Sequence, residues 1–408
     1  MTQTKTKKLI VWCQFFYPEL ISTGQVVTEL FESFSKSIDI HVLCAQPTIV
    51  KADKIPLILI HSNIKVERVW STCFSKLSLT GKICNQLTYA CSLFWKSLTL
   101  PNRSHVNVFT DPFFLPLLLY FLHPIKKFRY TITIFDLYPE TLSQHKILSK
   151  KSIIYRVLDN MTNKVYANAY KVITIGRCMQ KIVSSRSIKW KRKPVFIPIW
   201  CDTNNIRRKT LSPTHFKELW EVREDSFIVG YSGNLAKFHP VETFVHAADI
   251  LKNQNDIKFI FVGEGAKKEY AQSYCDKNNL LNCHFSTYVE RDQLGSLLAE
   301  FDCGLVGLEH NQTGLSVPSK TVALLAAGVP VIACVDDASE TAFMINENDC
   351  GYVCPPKDSR KLAKLILELK EDKKQCGIFR ANALNATDTK YHINMIVKEY
   401  EKIIDSSV

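Results

Sequence analysis

The chain has 408 residues, about twice an ordinary domain, and its 46% apolar and 22% charged composition excludes a disordered or fibrous protein. A net charge of +13 conceals a change of sign: residues 1–200 hold 28 Lys+Arg against 10 Asp+Glu, and the remainder hold 24 against 29, so any basic partner surface is expected in the first half. Fourteen cysteines fall singly, with no CxxC pair and no histidines at ligand spacing, which disfavours a metal site or a disulfide framework and fits a reducing cytosol.

In chain order, the N-terminal apolar run is short, resembles a strand and reaches Glu19 without a small-residue cleavage site, so no signal peptide is expected. Apolar runs at 8–14, 39–44, 64–70, 105–110, 130–135, 171–175 and 194–198 predict strands, with helical periodicity over 25–36 and 153–169 between them. The most apolar stretch, 113–122, is about half of what crosses a bilayer and contains a proline. Between Glu67 and Asp111 no acid occurs, while Lys76, Lys82, Lys96 and Arg103 punctuate an apolar segment. Within it Ile83, Leu87, Cys91, Phe94 and Leu98 recur at near-helical spacing, as in a helix lying in a headgroup layer or in one buried in a core. This alternation predicts one Rossmann-like domain over 1–200.

After a polar, basic passage at 201–218, a second strand series begins: FIVGYSG, IKFIFVGEG, CHFSTYV, DCGLVGL, PVIAC and CGYVC. It alternates with amphipathic segments at 241–252, 292–300 and 319–327, which predicts a second α/β domain over 201–387. The closing stretch, 388–404, is helical in pattern, but periodicity does not say which domain it joins.

Several turns suit a phosphate. In IVGYSGNLAK, Gly233 and Asn234 follow a strand, with Lys237 just beyond and a helix opening near Pro240. Glycines let backbone N–H groups approach an anion, though an ordinary strand-to-helix turn would read the same. FIFVGEG repeats the design at Gly263, Glu264 and Gly265, which packing alone also explains. In VPSK, Pro318, Ser319, Lys320 and Thr321 lie where an apolar helix begins, so Ser319 can donate and Lys320 can offer a compact charge to a diphosphate; a capped core helix is the rival. In the first domain, Thr23 and Gly24 of PELISTG are expected to face the cleft beyond strand one. Asp136 and Glu140 of FDLYPE lie just past another strand, where carboxylates hold sugar hydroxyls, assist proton transfer or simply cap a helix.

Taken together, YPELISTG, FDLYPE, FIPIWCD, YSGN, FVGEG, VPSK, AAGVPVIA and CGYVCPP, in this order, resemble the retaining glycosyltransferases of family four (group 1). The resemblance is to the subfamily that extends O-antigen, capsule and exopolysaccharide chains. It implies a GT-B architecture, two Rossmann-like domains facing across a cleft, with the helix of 388–408 completing the first. It further implies a nucleotide-sugar donor of UDP type, a lipid-linked saccharide acceptor, and no cofactor or metal. By that likeness Asn234, Lys237, Ser319 and Lys320 would face the donor phosphates, Glu264 and Gly265 would lie near the nucleoside, and Gly24 would line the cleft. Transfer with retention would proceed through an oxocarbenium-like state without a protein nucleophile, Lys320 stabilising the leaving diphosphate.

The pattern has departures: the family's two glutamates before the AAG element are Leu315 and Ala323 here, and the residue before Asp136 is Phe135 rather than histidine. Two other readings of the same residues are a GT-B sugar-nucleotide epimerase and a degenerate nucleotide-sugar-binding partner without turnover. No nucleic-acid module accompanies the basic cluster KWKRK at 189–193, so no nucleic-acid partner is expected. The expected location is cytoplasmic, peripheral on the inner face of the cell membrane, whose anionic surface is an expected partner.

Overall fold

The structure is a computed structural model that describes residues 7–19, 22–34, 38–47, 63–74, 79–201, 203–207, 216–289 and 293–405. Lys76, Lys36 and residues 202 and 208–215 of the passage between the two strand series lie outside them. The chain divides into two compact units: Met1–Pro198 with Gly314–Ser316 and Ile393–Val408, and Ile199–Thr313 with Val317–His392.

The first unit holds β1 (Lys7–Trp12), β2 (Ile38–Cys44), β3 (Ile64–Arg68), β4 (His105–Phe109), β5 (Arg129–Ile134), β6 (Lys171–Thr174) and β7 (Val195–Phe196). Among the described residues they form one parallel sheet in the order 3-2-1-4-5-6-7. Its central strands are covered on both faces, which is why they read as unbroken apolar runs: Val11, Val42, Val108 and Ile132 are all inaccessible. The second unit holds β8 (Phe227–Ser232), β9 (Ile257–Val262), β10 (Cys283–Ser286), β11 (Cys303–Gly307), β12 (Val331–Cys334) and β13 (Gly351–Cys354), in the order 10-9-8-11-12-13. Val229, Tyr231, Phe244, Phe259, Leu305 and Ile366 anchor its core, each contributing about 1.5–3 kcal/mol on burial.

The segment over 79–98 is a helix, Leu79–Leu98, with two apolar faces. Tyr89 and Leu93 face inward, the Tyr89 hydroxyl donating to the carbonyls of Cys13 (2.8 Å) and Leu43 (3.0 Å). The stripe of Ile83, Leu87 and Cys91 points outward, and Phe94 and Leu98 are half-buried, so this is not a helix enclosed in a core. No described helix is long and apolar enough to cross a membrane.

The closing stretch differs from the single helix expected over 388–404. The helix Lys373–Ala386 runs into a π-turn at Thr387–Tyr391, His392 is extended (φ −69°, ψ 132°), and a new helix occupies Ile393–Asp405. A parallel bridge between Cys201 and His392 imposes the break, because a residue held in a strand pairing cannot also continue a helix. Only the portion after the break joins the first unit, where buried Tyr400 meets Thr133 Oγ1 at 3.2 Å.

Candidate functional site

In the second unit the strand order reverses between β8 and β11, and ligands of doubly wound sheets sit beyond the carboxyl ends of the strands at such a reversal. The loops leaving β8 and β9 touch there. Gly263 has φ +145°, and a Cβ on it would stand 2.1 Å from the Gly233 carbonyl oxygen. A Cβ on Gly265 would stand 2.5 Å from Asn234 Oδ1, so neither position has room for a side chain. Backbone bonds lace the loops together: Gly233 N to Val262 O (2.9 Å), Leu235 N to Glu264 O (2.9 Å) and Lys267 N to Leu235 O (2.9 Å). The Lys267 ammonium then donates to the His239 carbonyl (2.7 Å), Glu242 (2.6 Å) and Glu309 (3.1 Å), pinning the far end of the β8 loop. His239, buried, donates from Nδ1 to the Gly307 carbonyl (2.7 Å) at the end of β11; burial, then the charges of Lys320 and Lys267, hold its pKa well below the ordinary value.

Lys320, first residue of the helix Lys320–Ala326, reaches into this junction. Its ammonium donates to the Tyr231 hydroxyl (2.5 Å) and lies 3.8 Å from the ring centroid, and a Cβ on Gly233 would come within 3.2 Å of Cε and Nζ. The Tyr231 hydroxyl donates a hydrogen bond to the Asn234 carbonyl (2.7 Å), which leaves its oxygen to accept from lysine. Among the described residues no carboxylate pairs with Lys320, and burial pushes its pKa down to about 7. The ring face returns only part of the lost hydration. The arrangement therefore holds a desolvated cation ready to gain from an incoming anion.

Gly233, Asn234, Gly263, Gly265 and Lys320 thus come together. Glu264 is exposed and ion-paired with Lys268 (2.6 Å), and Lys237 is exposed. Pro318 is buried; Ser319 is half-buried and already helical (φ −62°, ψ −25°), and its side chain makes no cap bond. Thr321, expected among the donor contacts, is wholly buried with its hydroxyl inside the unit, because the second residue of this short helix turns toward the core. Tyr231, His239 and Lys267 were not legible as site residues: strand alternation reads Tyr231 as core, and the pinning role of Lys267 depends on partners 25 and 42 residues away.

Residues 214–386 match the family model of glycosyl transferases group 1. Apart from Gly314–Ser316, that match falls within the second unit. Over 256 residues the chain is 28% identical to WbjE of Pseudomonas aeruginosa, a glycosyltransferase by name, covering 63% of this chain and 62% of that protein. Over 162 residues it is 26% identical to WcaI of Escherichia coli (strain K12), named for colanic acid biosynthesis, covering 40% and 39%. The matches thus span less than two thirds of either relative's length. Anabaena Alr3699/HepE, solved with UDP and glucose, superposes with a TM-score of 0.74 at 16% identity over 98% of this chain and 100% of that one. At that identity the likeness is one of fold, and the fold is GT-B.

The first unit holds the remaining candidates. Asp136 follows β5, and Thr110 Oγ1, past β4, accepts from the N–H groups of Phe135 (3.0 Å) and Asp136 (3.2 Å). Burial, then the charge of Asp111, raises the Asp136 pKa to about 7. Asp111 carries the same signal as Asp136, an acid just past a strand, and sequence reading passed over it. Glu140 does not join this pair. Arg186 holds it (2.5 Å) and also bonds Asp159 (2.8 Å) and Asn163 (2.7 Å), so the expected catalytic carboxylate is already neutralised. Thr23 is half-buried in the first turn of the helix Ser22–Glu32, and Gly24 is buried, its Cβ position 3.1 Å from Phe15 Cβ. Gly24 serves close packing, and its carbonyl accepts from Thr28 Oγ1 (2.7 Å).

Proposed function

We propose that the chain transfers a hexose or acetamido-hexose from a nucleotide-diphosphate sugar of UDP type, with retention, to a membrane-associated saccharide acceptor in cell-surface polysaccharide biosynthesis. The observation that carries the reading is Lys320, an ammonium lodged against Tyr231 and Gly233 at the strand reversal with no carboxylate paired to it among the described residues. A donor diphosphate would supply the missing negative charge. As the glycosidic bond to the diphosphate lengthens, charge grows on the leaving oxygen, and a fixed cation with backbone N–H groups stabilises that charge more than the ground state. The reading assigns this work to Lys320 and Asn234, with Gly233, whose own N–H is held by the Val262 carbonyl, leaving room for the anion, and calls for no metal. On the acceptor side, Asp136 and Asp111 offer carboxyl groups for sugar hydroxyls, Asp136 being poised near neutrality.

A membrane-borne acceptor, met at the inner face of the cell membrane, is supported by the first unit's surface. Three helices that pack side by side, Leu79–Leu98, Leu118–Lys126 and Ile153–Asn168, expose Ile83, Trp95, Phe121, Ile125, Ile153 and Ile154. Lys82, Lys150, Lys151 and Arg156 stand exposed on or beside the same helices. Apolar side chains among cations suit an anionic leaflet, where each cation contributes about 1 kcal/mol.

A thermal-shift screen of nucleotide sugars on the parent and Lys320→Ala tests the donor reading. At a hundredfold excess over Kd a ligand of the folded state adds about 2.7 kcal/mol, a readily measured rise. A UDP-sugar is expected to shift the parent and to lose most of its effect in the variant; no shift by any nucleotide sugar sinks the reading. Binding with neither donor hydrolysis nor transfer would instead favour a nucleotide-sugar-binding partner, as the alanine at Ala323 suggests.

A further inference from the structure

A second concentration of positive charge lies in the first unit, at the amino-terminal edge of its sheet, the edge opposite to that carrying Asp111 and Asp136. There the starts of β1, β4 and β5 border a cavity of about 580 Å³. Lys8, Arg103, Lys127 and Arg129 line it, with His41 and His105, and among the described residues no carboxylate is in the lining. Of the acids nearby, Glu67 is engaged by Lys96 and by His41 (3.0 Å), and exposed Asp39 stands in register with Lys8.

The cations are set by the backbone. Arg103 N donates to Lys126 O (2.9 Å) and Arg129 N to Ser104 O (3.0 Å), tying the turn before β4 to the end of the helix Leu118–Lys126. Arg103 (φ 61°) and Lys127 (φ 53°) both adopt the left-handed conformation, where glycine or asparagine is the easy choice. At both positions the sequence places a cation instead, and both side chains border the same cavity. The Arg129 guanidinium lies 4.1 Å from the Tyr170 ring centroid, which fixes its direction. Burial holds His41 below its ordinary pKa and His105 at about 4, leaving the ring nitrogens as neutral hydrogen-bonding groups among the charges.

We propose that this cavity binds a phosphate or diphosphate group, as a second anion site independent of the one around Lys320. Repulsion among clustered cations is relieved by a multiply charged anion, and arginine forks suit its oxygens. Two sources carry this group: a soluble phosphorylated compound, and the headgroup of a phospholipid, for which exposed Trp95 and Ile125, near the ends of the two helices that lead to the cavity, provide an adjoining apolar rim.

The test compares the parent with Arg103→Gly/Lys127→Gly, whose new residues suit the left-handed backbone, and with the charge-matched Lys373→Ala/Lys374→Ala on the second unit. Equilibrium dialysis with labelled inorganic pyrophosphate forms one arm, and co-sedimentation with phosphatidylglycerol or phosphatidylcholine vesicles at fixed salt the other. Lys320→Ala serves as background for the dialysis, so that the Lys320 site does not contribute. The expected result is a loss of roughly tenfold in affinity for the glycine pair and none for the control. Loss in dialysis alone assigns a soluble phosphate, loss with phosphatidylglycerol alone assigns a headgroup, and loss in both means the site accepts either. Binding that is unchanged in both arms, or reduced equally by the control, overturns the proposal. If melting shows the glycine pair unfolded, Lys8→Gln/Arg103→Gln is read by the same criteria.

Discussion

The fold moves the ionisation of both Lys320 and Asp136 to about neutral pH. The Lys320 pKa near 7 lies below the roughly 10.4 of an unfolded chain, so between those values the unfolded state binds more protons and ligand-free stability rises with pH. Lys320→Met is expected to flatten that rise in urea melts from about pH 7 to 10, and to weaken nucleotide-sugar binding by about tenfold or more, because a fixed charge at the diphosphate is lost. In the parent, binding should take up a proton, so calorimetric affinity falls as pH rises through 7 and beyond; a pH-independent affinity contradicts the assignment. Asp136 has the opposite sign. Its pKa of about 7 exceeds the unfolded value, so its contribution is full below about pH 4 and is lost as pH rises through 7. Asp136→Asn should therefore match the parent near pH 4 and exceed it at pH 8, by on the order of 2 kcal/mol after allowing for partial exposure.

Among elements, the helix Ile153–Asn168 depends on Arg186 as much as on its own sequence. The guanidinium ties Asp159 and Asn163, both on this helix, to Glu140 of the helix Glu140–Gln144, and is almost wholly out of solvent. Arg186→Ala leaves Glu140, half-buried with its Oε2 out of solvent, an uncompensated charge and should cost about 3 kcal/mol in denaturant melts, with Arg186→Lys recovering little because ammonium lacks the fork. The helix Leu79–Leu98 makes the converse case, an element whose outer apolar stripe does nothing for packing. Leu87→Gln/Trp95→Gln should leave stability within about 0.5 kcal/mol while reducing retention on phosphatidylglycerol vesicles. Unchanged retention removes the membrane part of the proposed function and leaves the cavity beside Arg103 to its own test.

For the molecule, the last thirteen described residues belong with the first 198, so the first unit is built from segments separated by nearly the whole second unit. Tyr400, inaccessible and bonded to Thr133 across 267 residues, is the sharpest marker of that closure. Tyr400→Phe should lower the first unit's stability by about 1 kcal/mol, the net worth of one buried hydrogen bond. Removing 393–408 should abolish the first unit's calorimetric transition while the second unit's persists. Loss of both transitions together would show that the two units do not melt independently.

Strand positions were legible because burial on both sheet faces demands unbroken apolar runs, as in residues 9–12 of β1 and Val331–Cys334 of β12, whereas the edge strands β3 and β10 are only partly buried. The glycine turns were legible too, since two loops touching at Gly233 and Gly263 exclude any side chain. What the sequence could not settle was which polar groups are engaged and which are available. Asp136 and Glu140 sit four residues apart in the same motif, yet Arg186, 46 residues on, claims one and leaves the other beside Asp111. The same holds for Lys320, whose stem enters the VPSK motif as one more cation until Tyr231, 89 residues earlier, takes it against its ring. Local pattern fixes which segments are strands and turns because it is written in neighbouring residues; ionisation and availability depend on partners brought from far along the chain, and only tertiary structure supplies those.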